Sequence, residues 1–298
     1  MALNLYNITH SYFSIIARIA LAEISIPYTP VLVNILNKSH PAQFEEDYIR
    51  LNPAGTVPSL VGSIVVPGEA QPREIALTES RDIVEWCFSL PTAPRLPDQV
   101  RDASDIVMER FYGGNWDYIF GVGLAAPDKE REALVAKWRD RETAAITKIE
   151  ETERKIAAGA GVSDLEELLE RYRRKKDQNA ERIALYLPSL PPNPTAEFPF
   201  GLDRAKLLCS EFEADLKAAE SLANELQPGV CEFWFAGPVF CPADVVIAAL
   251  LTRFRVYGYE GVLFGPGTSG YPYLTNYWAR LKARRSYINA VTDFKMDT

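Results

Sequence analysis

Along residues 3–8, LNLYNI, apolar side chains crowd into a short run that predicts a strand, and His10-Ser11 interrupts it. Over 13–24, FSIIARIALAEI, the spacing turns helical, with Ile15, Ile16, Ile19, Ala20 and Leu21 on one broad apolar face. Residues 28–35, YTPVLVNI, predict a second strand. Pro30 cannot donate to a ladder, so it places that strand at an edge or stands at its beginning. Pro41 and the polar stretch QFEEDYIRLN predict a loop and a short helix. The runs 58–66, PSLVGSIVV, and 73–78, REIALT, predict a hairpin closed by PGEAQP, whose prolines and glycine suit a turn. Residues 80–89, SRDIVEWCFS, predict a helix that opens on Ser80, a good N-cap residue. The order β-α-β-α-β-β-α fills residues 1–90 and predicts one small α/β domain.

The pattern then changes. PTAPRLPD, 91–98, holds three prolines and marks a linker at 91–100. From 101 to 298 the spacing is helical throughout, with amphipathic stretches predicted at 101–120, 129–158, 163–186, 202–227, 242–258 and 272–291. Five prolines in 188–200 make an irregular connection. A charged helical insert occupies about 148–186. Its basic run Arg171, Arg173, Arg174, Lys175 and Lys176 follows Glu166, Glu167 and Glu170, which reads as a solvated face of mixed charge.

Composition narrows the functional classes. With 47% hydrophobic and 24% charged residues in 298, the chain has material for two cores. A net charge of −8 argues against a nucleic-acid partner, which needs a basic stripe. The four cysteines form no CxxC pair, and with two histidines no metal site is expected. No basic stretch leads into an apolar one at the start, no run of about 18 apolar residues exists and the end is polar. The expectation is a cytoplasmic protein with no signal peptide, transmembrane segment or anchor.

Three places carry chemistry. Strand 1 runs into His10-Ser11-Tyr12 at a helix start, where unpaired N–H groups and the helix dipole favour an anion. A thiolate brought there is stabilised, and Ser11 or Ser14 can donate to its sulfur, although a serine at a helix start is more often a plain cap. Val57-Pro58 follows Asn52-Pro53-Ala54-Gly55-Thr56; a cis bond there would turn the Val57 backbone outward to pair with an extended peptide, and a trans bond would make it an ordinary turn. Glu79-Ser80 opens a helix, where Ser80 can hold a carboxylate and Glu79 an amino group, or Ser80 can merely cap.

The runs HSYFSIIARIALAEISIPY, YIRLNPAGTVPSLV and ALTESRDIVEW, in that order, resemble the N-terminal domain of glutathione transferases. FWFAGPVFCPADVVIAALLTRF resembles the family's buried helix with its capping motif. Within the superfamily the chain is similar to the serine type: to tetrachlorohydroquinone dehalogenases at LYNITHS, DYIRLN and YLTNYWARLKARRSY, to zeta-class maleylacetoacetate isomerases at SIIARIALAEISIPY, and to ganglioside-induced differentiation-associated proteins in its insert.

The resemblance implies a thioredoxin-like N-terminal domain, an all-α C-terminal domain and a homodimer. It implies glutathione as cosubstrate, held by Val57 and Pro58 at its cysteinyl backbone and by Glu79 and Ser80 at its γ-glutamyl end. Lys38 and His40 are candidates for its glycine carboxylate, and Ser11 falls on the catalytic serine. Where the dehalogenases carry a cysteine this chain has Phe13, which cannot form a mixed disulfide. Conjugation, isomerisation or ether cleavage of an electrophilic apolar molecule is therefore the expected chemistry. Tyr12, Phe13, Phe111, Tyr112 and Trp116 are candidates for its pocket, each equally able to be core; Tyr118 and Phe120 extend that aromatic density, while Trp234, Phe235 and Phe240 are expected in the core. Cys241 replaces the usual Ser or Thr of the capping motif, and Asp244 is kept as a structural residue. The competing expectation is a non-catalytic binding or regulatory protein on the same fold.

Overall fold

The computed structural model describes residues 2–35, 37, 41–66, 70–112, 127–159, 162–186, 201–229, 232–265 and 270–294. Four strands, β1 (Leu3–Asn7), β2 (Tyr28–Leu32), β3 (Ser59–Ile64) and β4 (Arg73–Leu77), form one sheet in the order β2-β1-β3-β4. β1 and β2 run parallel across α1 (Tyr12–Glu23), and the other pairs are antiparallel. β2 is an edge, and Pro30 sits in it opposite Leu5, on the strand that can dispense with a donor.

Alternation along β1 sorts its side chains to two sides. Leu3 and Leu5 join α1 and α3 (Ser80–Ser89) in the main core. Tyr6 and Ile8 pack with Val33, Tyr48 and Val57, beside α2 (Glu46–Leu51). Gly62 of β3 has φ +139, and a Cβ there would stand 2.3 Å from the Ala2 carbonyl, so only glycine lets the two strands approach.

The helical part comprises α4 (Asp98–Phe111), α5 (Pro127–Ala157), α6 (Val162–Tyr186), α7 (Gly201–Leu226), α8 (Pro242–Val256), the short α9 (Glu260–Phe264) and α10 (Pro272–Ala283). The helix expected over 272–291 is broken after Ala283, where a three-residue helix and a π turn, Ile288–Thr292, replace it. α4 starts at Asp98, inside the expected linker.

α8 is the hub. Ala243 through Phe254 are all buried, and α1, α3 and α4 pack on it, so one core joins both halves. Asp244 lies at its start and accepts from Phe235 N (2.8 Å), Cys241 N (2.9 Å), Cys241 Sγ (3.3 Å) and Tyr277 Oη (2.9 Å). Burial, the main cause, pushes this carboxyl up to about 6. Ser104 of α4 accepts from Ala243 N at 3.1 Å and so caps α8 from outside. Trp234, Phe235 and Phe240 are core residues.

The charged insert is not the solvated element its composition suggests. α5 and α6 form a hairpin docked on α2 through a separate cluster of Phe44, Ile49, Leu165, Leu168 and Tyr172. Tyr172 Oη donates to the Phe44 carbonyl at 2.9 Å, and Arg171 to those of Ile49 (2.9 Å) and Arg50 (3.1 Å). Lys148 pairs with Glu45 at 3.2 Å and Lys155 with Glu46 at 3.1 Å. Arg173 meets the solvated reading: it is an exposed residue paired with Glu153 at 3.0 Å.

Candidate functional site

The turn between β1 and α1 is held from below. Arg18, on α1 and buried, donates to Asn7 Oδ1 (3.0 Å), the Thr9 carbonyl (2.7 Å) and the Ala290 carbonyl (2.9 Å). Ser11 then caps α1: its Oγ accepts from Ser14 N at 3.3 Å. Ser14 is wholly buried, and its Oγ accepts from Ile8 N at 3.5 Å, which corrects its candidacy as a group that meets a ligand.

The loop that follows α2 is over-determined. Asn52 donates to the Thr56 carbonyl (2.9 Å) and Ser59 Oγ (3.0 Å) and accepts from Ala54 N (3.0 Å); Tyr48 Oη donates to the same Thr56 carbonyl at 2.5 Å. Gly55 supplies φ +55, and a Cβ there would stand 3.1 Å from Ile49 Cδ1. The loop delivers Val57-Pro58, whose peptide bond is cis.

Val57, Pro58, Glu79 and Ser80 line one cavity of about 350 Å³, inside the roughly 300–1,000 Å³ range of small-molecule sites. Phe13 and Tyr112 form its aromatic side, with ring centroids 5.8 Å apart. The hydroxyls of Ser80 and Tyr112 are 2.5 Å apart, so the group expected to meet a carboxylate already has a neighbour. Burial and then Asp82 push the Glu79 carboxyl up, while the Lys175 ammonium pulls it down. Burial, first, also raises the Tyr112 phenol.

Other expected residues lie elsewhere. Ser11 is next to Phe13 at the helix start but does not line the cavity wall. Tyr12 is buried with its hydroxyl donating to the Phe111 carbonyl at 3.3 Å, and Phe111 is buried against Phe212, ring centroids 5.0 Å apart, so both are core rather than pocket. Lys38, His40, Trp116, Tyr118 and Phe120 fall outside the described residues.

The cavity has a third wall that sequence reasoning missed: Lys175, Gln178 and Arg182 of α6. Lys175 Nζ donates to the Ala54 carbonyl and, at 3.3 Å, to Gln178 Oε1. Burial, then the Arg182 and Arg141 charges, pull Lys175 down to about 7, against Glu79. The signal was a stripe at Leu165, Leu168, Tyr172, Lys175, Asn179 and Arg182, in 3-4-3-4-3 steps, one helix face that begins apolar and ends polar.

A larger groove of about 760 Å³ runs along Glu23, Tyr28 and Arg284. There Glu23 already accepts from Arg284 Nε (2.8 Å) and Ser286 Oγ (2.7 Å), a sealed structural contact between α1 and the chain after α10. Among the described residues no three His, Cys, Asp or Glu side chains gather as a metal site requires, and no helix is long and apolar enough to cross a membrane.

Residues 10–89 match the family of glutathione S-transferase N-terminal domains. No curated protein matches the chain in sequence. Among solved structures, FzlA from C. crescentus superposes with a TM-score of 0.54 at 16% identity, over 99% of this chain and 94% of that one. A glutathione transferase from Pseudomonas putida, solved with glutathione disulfide bound, gives 0.51 at 15% identity over 98% and 91%. The beta-etherase LigF from Sphingobium sp. strain SYK-6 gives 0.51 at 15% over 99% and 100%. These likenesses establish the fold: a thioredoxin-like sheet domain followed by a helical one. Residues 10–89 thus match the glutathione S-transferase N-terminal domain, and the chain as a whole shares the fold of solved glutathione transferases.

Proposed function

We propose that the protein is a glutathione-dependent transferase that presents the peptide's sulfur to an electrophilic apolar small molecule, for conjugation, isomerisation or ether cleavage. The observation that carries this reading is the meeting of Val57-Pro58 and Glu79-Ser80 in one cavity beside the start of α1. Glutathione supplies the nucleophilic sulfur. In this reading Val57 pairs with its cysteinyl backbone, and Glu79 with Ser80 holds its γ-glutamyl amino and carboxylate groups. Ser11 at the α1 N-cap, with the helix dipole, favours the thiolate over the thiol. Phe13 and Tyr112 offer an apolar surface to the electrophile.

Calorimetric titration of glutathione into the purified protein, repeated with Ser11→Ala while the thiolate absorbance is followed, tests this. Binding with a Ser11-dependent thiolate supports the enzyme. A second reading, a non-catalytic binding protein, draws support from Ser11 standing off the cavity wall and bonding to Ser14; binding without a thiolate would favour it. No binding overturns both.

A further inference from the structure

The chain between β2 and β3 carries α2 and ends on Val57-Pro58, and it lies between two packings. On its sheet side Tyr48 and Val57 pack with Val33, Tyr6 and Ile8. On its other side Phe44 and Ile49, both wholly buried, pack with Leu165, Leu168 and Tyr172 of α6. At six residues α2 is too short to keep its shape unaided, so its place is set by what packs on it.

Side chains of the hairpin also take main-chain carbonyls along this segment. Arg141 of α5 donates to that of Ile35 at 3.1 Å and Tyr172 to that of Phe44 at 2.9 Å. Arg171 Nη1 donates to Ile49 at 2.9 Å and to Arg50 at 3.1 Å, and Lys175 to Ala54. Ile49 and Arg50 stand in the last turn of α2, where a helix leaves its carbonyls without partners, and the Arg171 charge suits the negative end of the helix dipole. Bonds within the segment, from Asn52 and Tyr48 to the Thr56 carbonyl, fix the shape of the loop. The bonds from the hairpin fix where that shape stands. A ligand that pairs with the Val57 backbone loses apparent affinity by whatever fraction of the time that backbone is out of place.

We infer that the docked α5–α6 hairpin holds the α2 segment in its ligand-ready position, with Arg171 and Tyr172 as positioning residues, so that hairpin docking and peptide binding favour each other. The inference rests on the proposed glutathione reading and adds to it the element on which the readiness of the site depends. Neither residue lines the cavity, so each acts through the main chain it holds. Because coupling is reciprocal, glutathione must in turn tighten the docking of α5, none of whose described residues lines the cavity. A hairpin that merely added stability would lower Tm when loosened and leave both quantities unchanged.

The test is calorimetric titration of glutathione, with hydrogen exchange, on the wild-type chain, Arg171→Met and Tyr172→Phe. Arg173→Gln is the control on the same helix, since Arg173 is exposed and pairs with Glu153. The expected result is a Kd weakened about fivefold or more in Arg171→Met, in the same direction in Tyr172→Phe, and unchanged in Arg173→Gln. Without glutathione, exchange across residues 46–57 should rise in the first two variants, which places the effect on the loop rather than on the α6 wall of the cavity. Saturating glutathione should slow exchange along α5 in the wild type. Circular dichroism establishes folding; Tyr172→Phe, which loses one hydroxyl, carries the test if Arg171→Met does not fold. Wild-type affinity in the folded variants, a loss of affinity with unchanged exchange at 46–57, or α5 exchange untouched by glutathione overturns the inference and leaves the glutathione reading intact. No glutathione binding by the wild type overturns both.

Discussion

Lys175, on the helical insert, donates to the carbonyl of Ala54, 121 residues earlier in the chain. The bond joins the insert to the loop that presents Val57-Pro58, so an element that composition assigns to solvent becomes part of the candidate site. In the fold the Lys175 ammonium is held down to about 7, chiefly by burial and then by Arg182 and Arg141.

That depression has a sign. The unfolded lysine keeps its proton up to about 10.4, so between pH 7 and that value the unfolded chain binds a proton that the folded chain does not. Folding stability from this group is full above the unfolded value and is lost as the pH falls through 7. Urea unfolding of wild type and Lys175→Met from pH 7 to 10 should show the wild type gaining on the variant as the pH rises. A pH-independent difference rejects the depressed lysine.

Tyr112 competes with any ligand carboxylate for the Ser80 hydroxyl, 2.5 Å away. Tyr112→Phe releases that hydroxyl at little cost in volume and is expected to tighten glutathione binding. A Kd that weakens instead would show the phenol to be a ligand contact.

The hairpin's seat on α2 is a small core of its own. Leu168→Ala removes a buried side chain from it and should cost about 2–5 kcal/mol of docking free energy. Hydrogen exchange should then rise across α5 and α6 while α8 stays protected; a uniform rise would show that the hairpin unfolds only with the whole protein.

Ser11→Ala removes the α1 cap that Ser14 N donates to, an expected loss of roughly 0.5–2 kcal/mol in denaturant unfolding. Loss of thiolate without loss of glutathione affinity would separate its chemical role from its structural one.

Asp244 gathers two main-chain N–H groups, the Cys241 thiol and the Tyr277 hydroxyl, all buried. Asp244→Ala strands these donors, each worth about 1–3 kcal/mol when buried and unmet, and the expected outcome is a chain that does not accumulate folded. Soluble expression at the wild-type Tm would refute this.

Local patterns were legible where the physics is local. Pro30 announced a strand's edge or its beginning, Ser80 a helix start and Asp244 a structural anchor: the first two act on their own element, and Asp244 bonds Cys241 three residues before it as well as Phe235 and Tyr277 further off. The capping of α8 was legible only in part: Asp244 is in the motif, but the Ser104 hydroxyl comes from another helix. Phe111 and Tyr112 are adjacent in sequence, yet one meets Phe212 in the core and the other the cavity, a choice made by the rotation of α4 alone. Lys175 was hidden for the same reason at longer range. Five basic residues in six positions average to a wet surface, and only docking decides that Arg173 is exposed while Lys175 is buried.

The docking of α6 also sets a time order for synthesis. A nascent chain of some ninety residues can already pair its four strands, but its cavity then lacks one side. Lys175 and Arg182 emerge only when well over half of the 298 residues have been made, and domains form as units from the N-terminus onward. Until then the α2 surface around Phe44 and Ile49, like the α1 and α3 surfaces that α8 covers, has no partner to pack against.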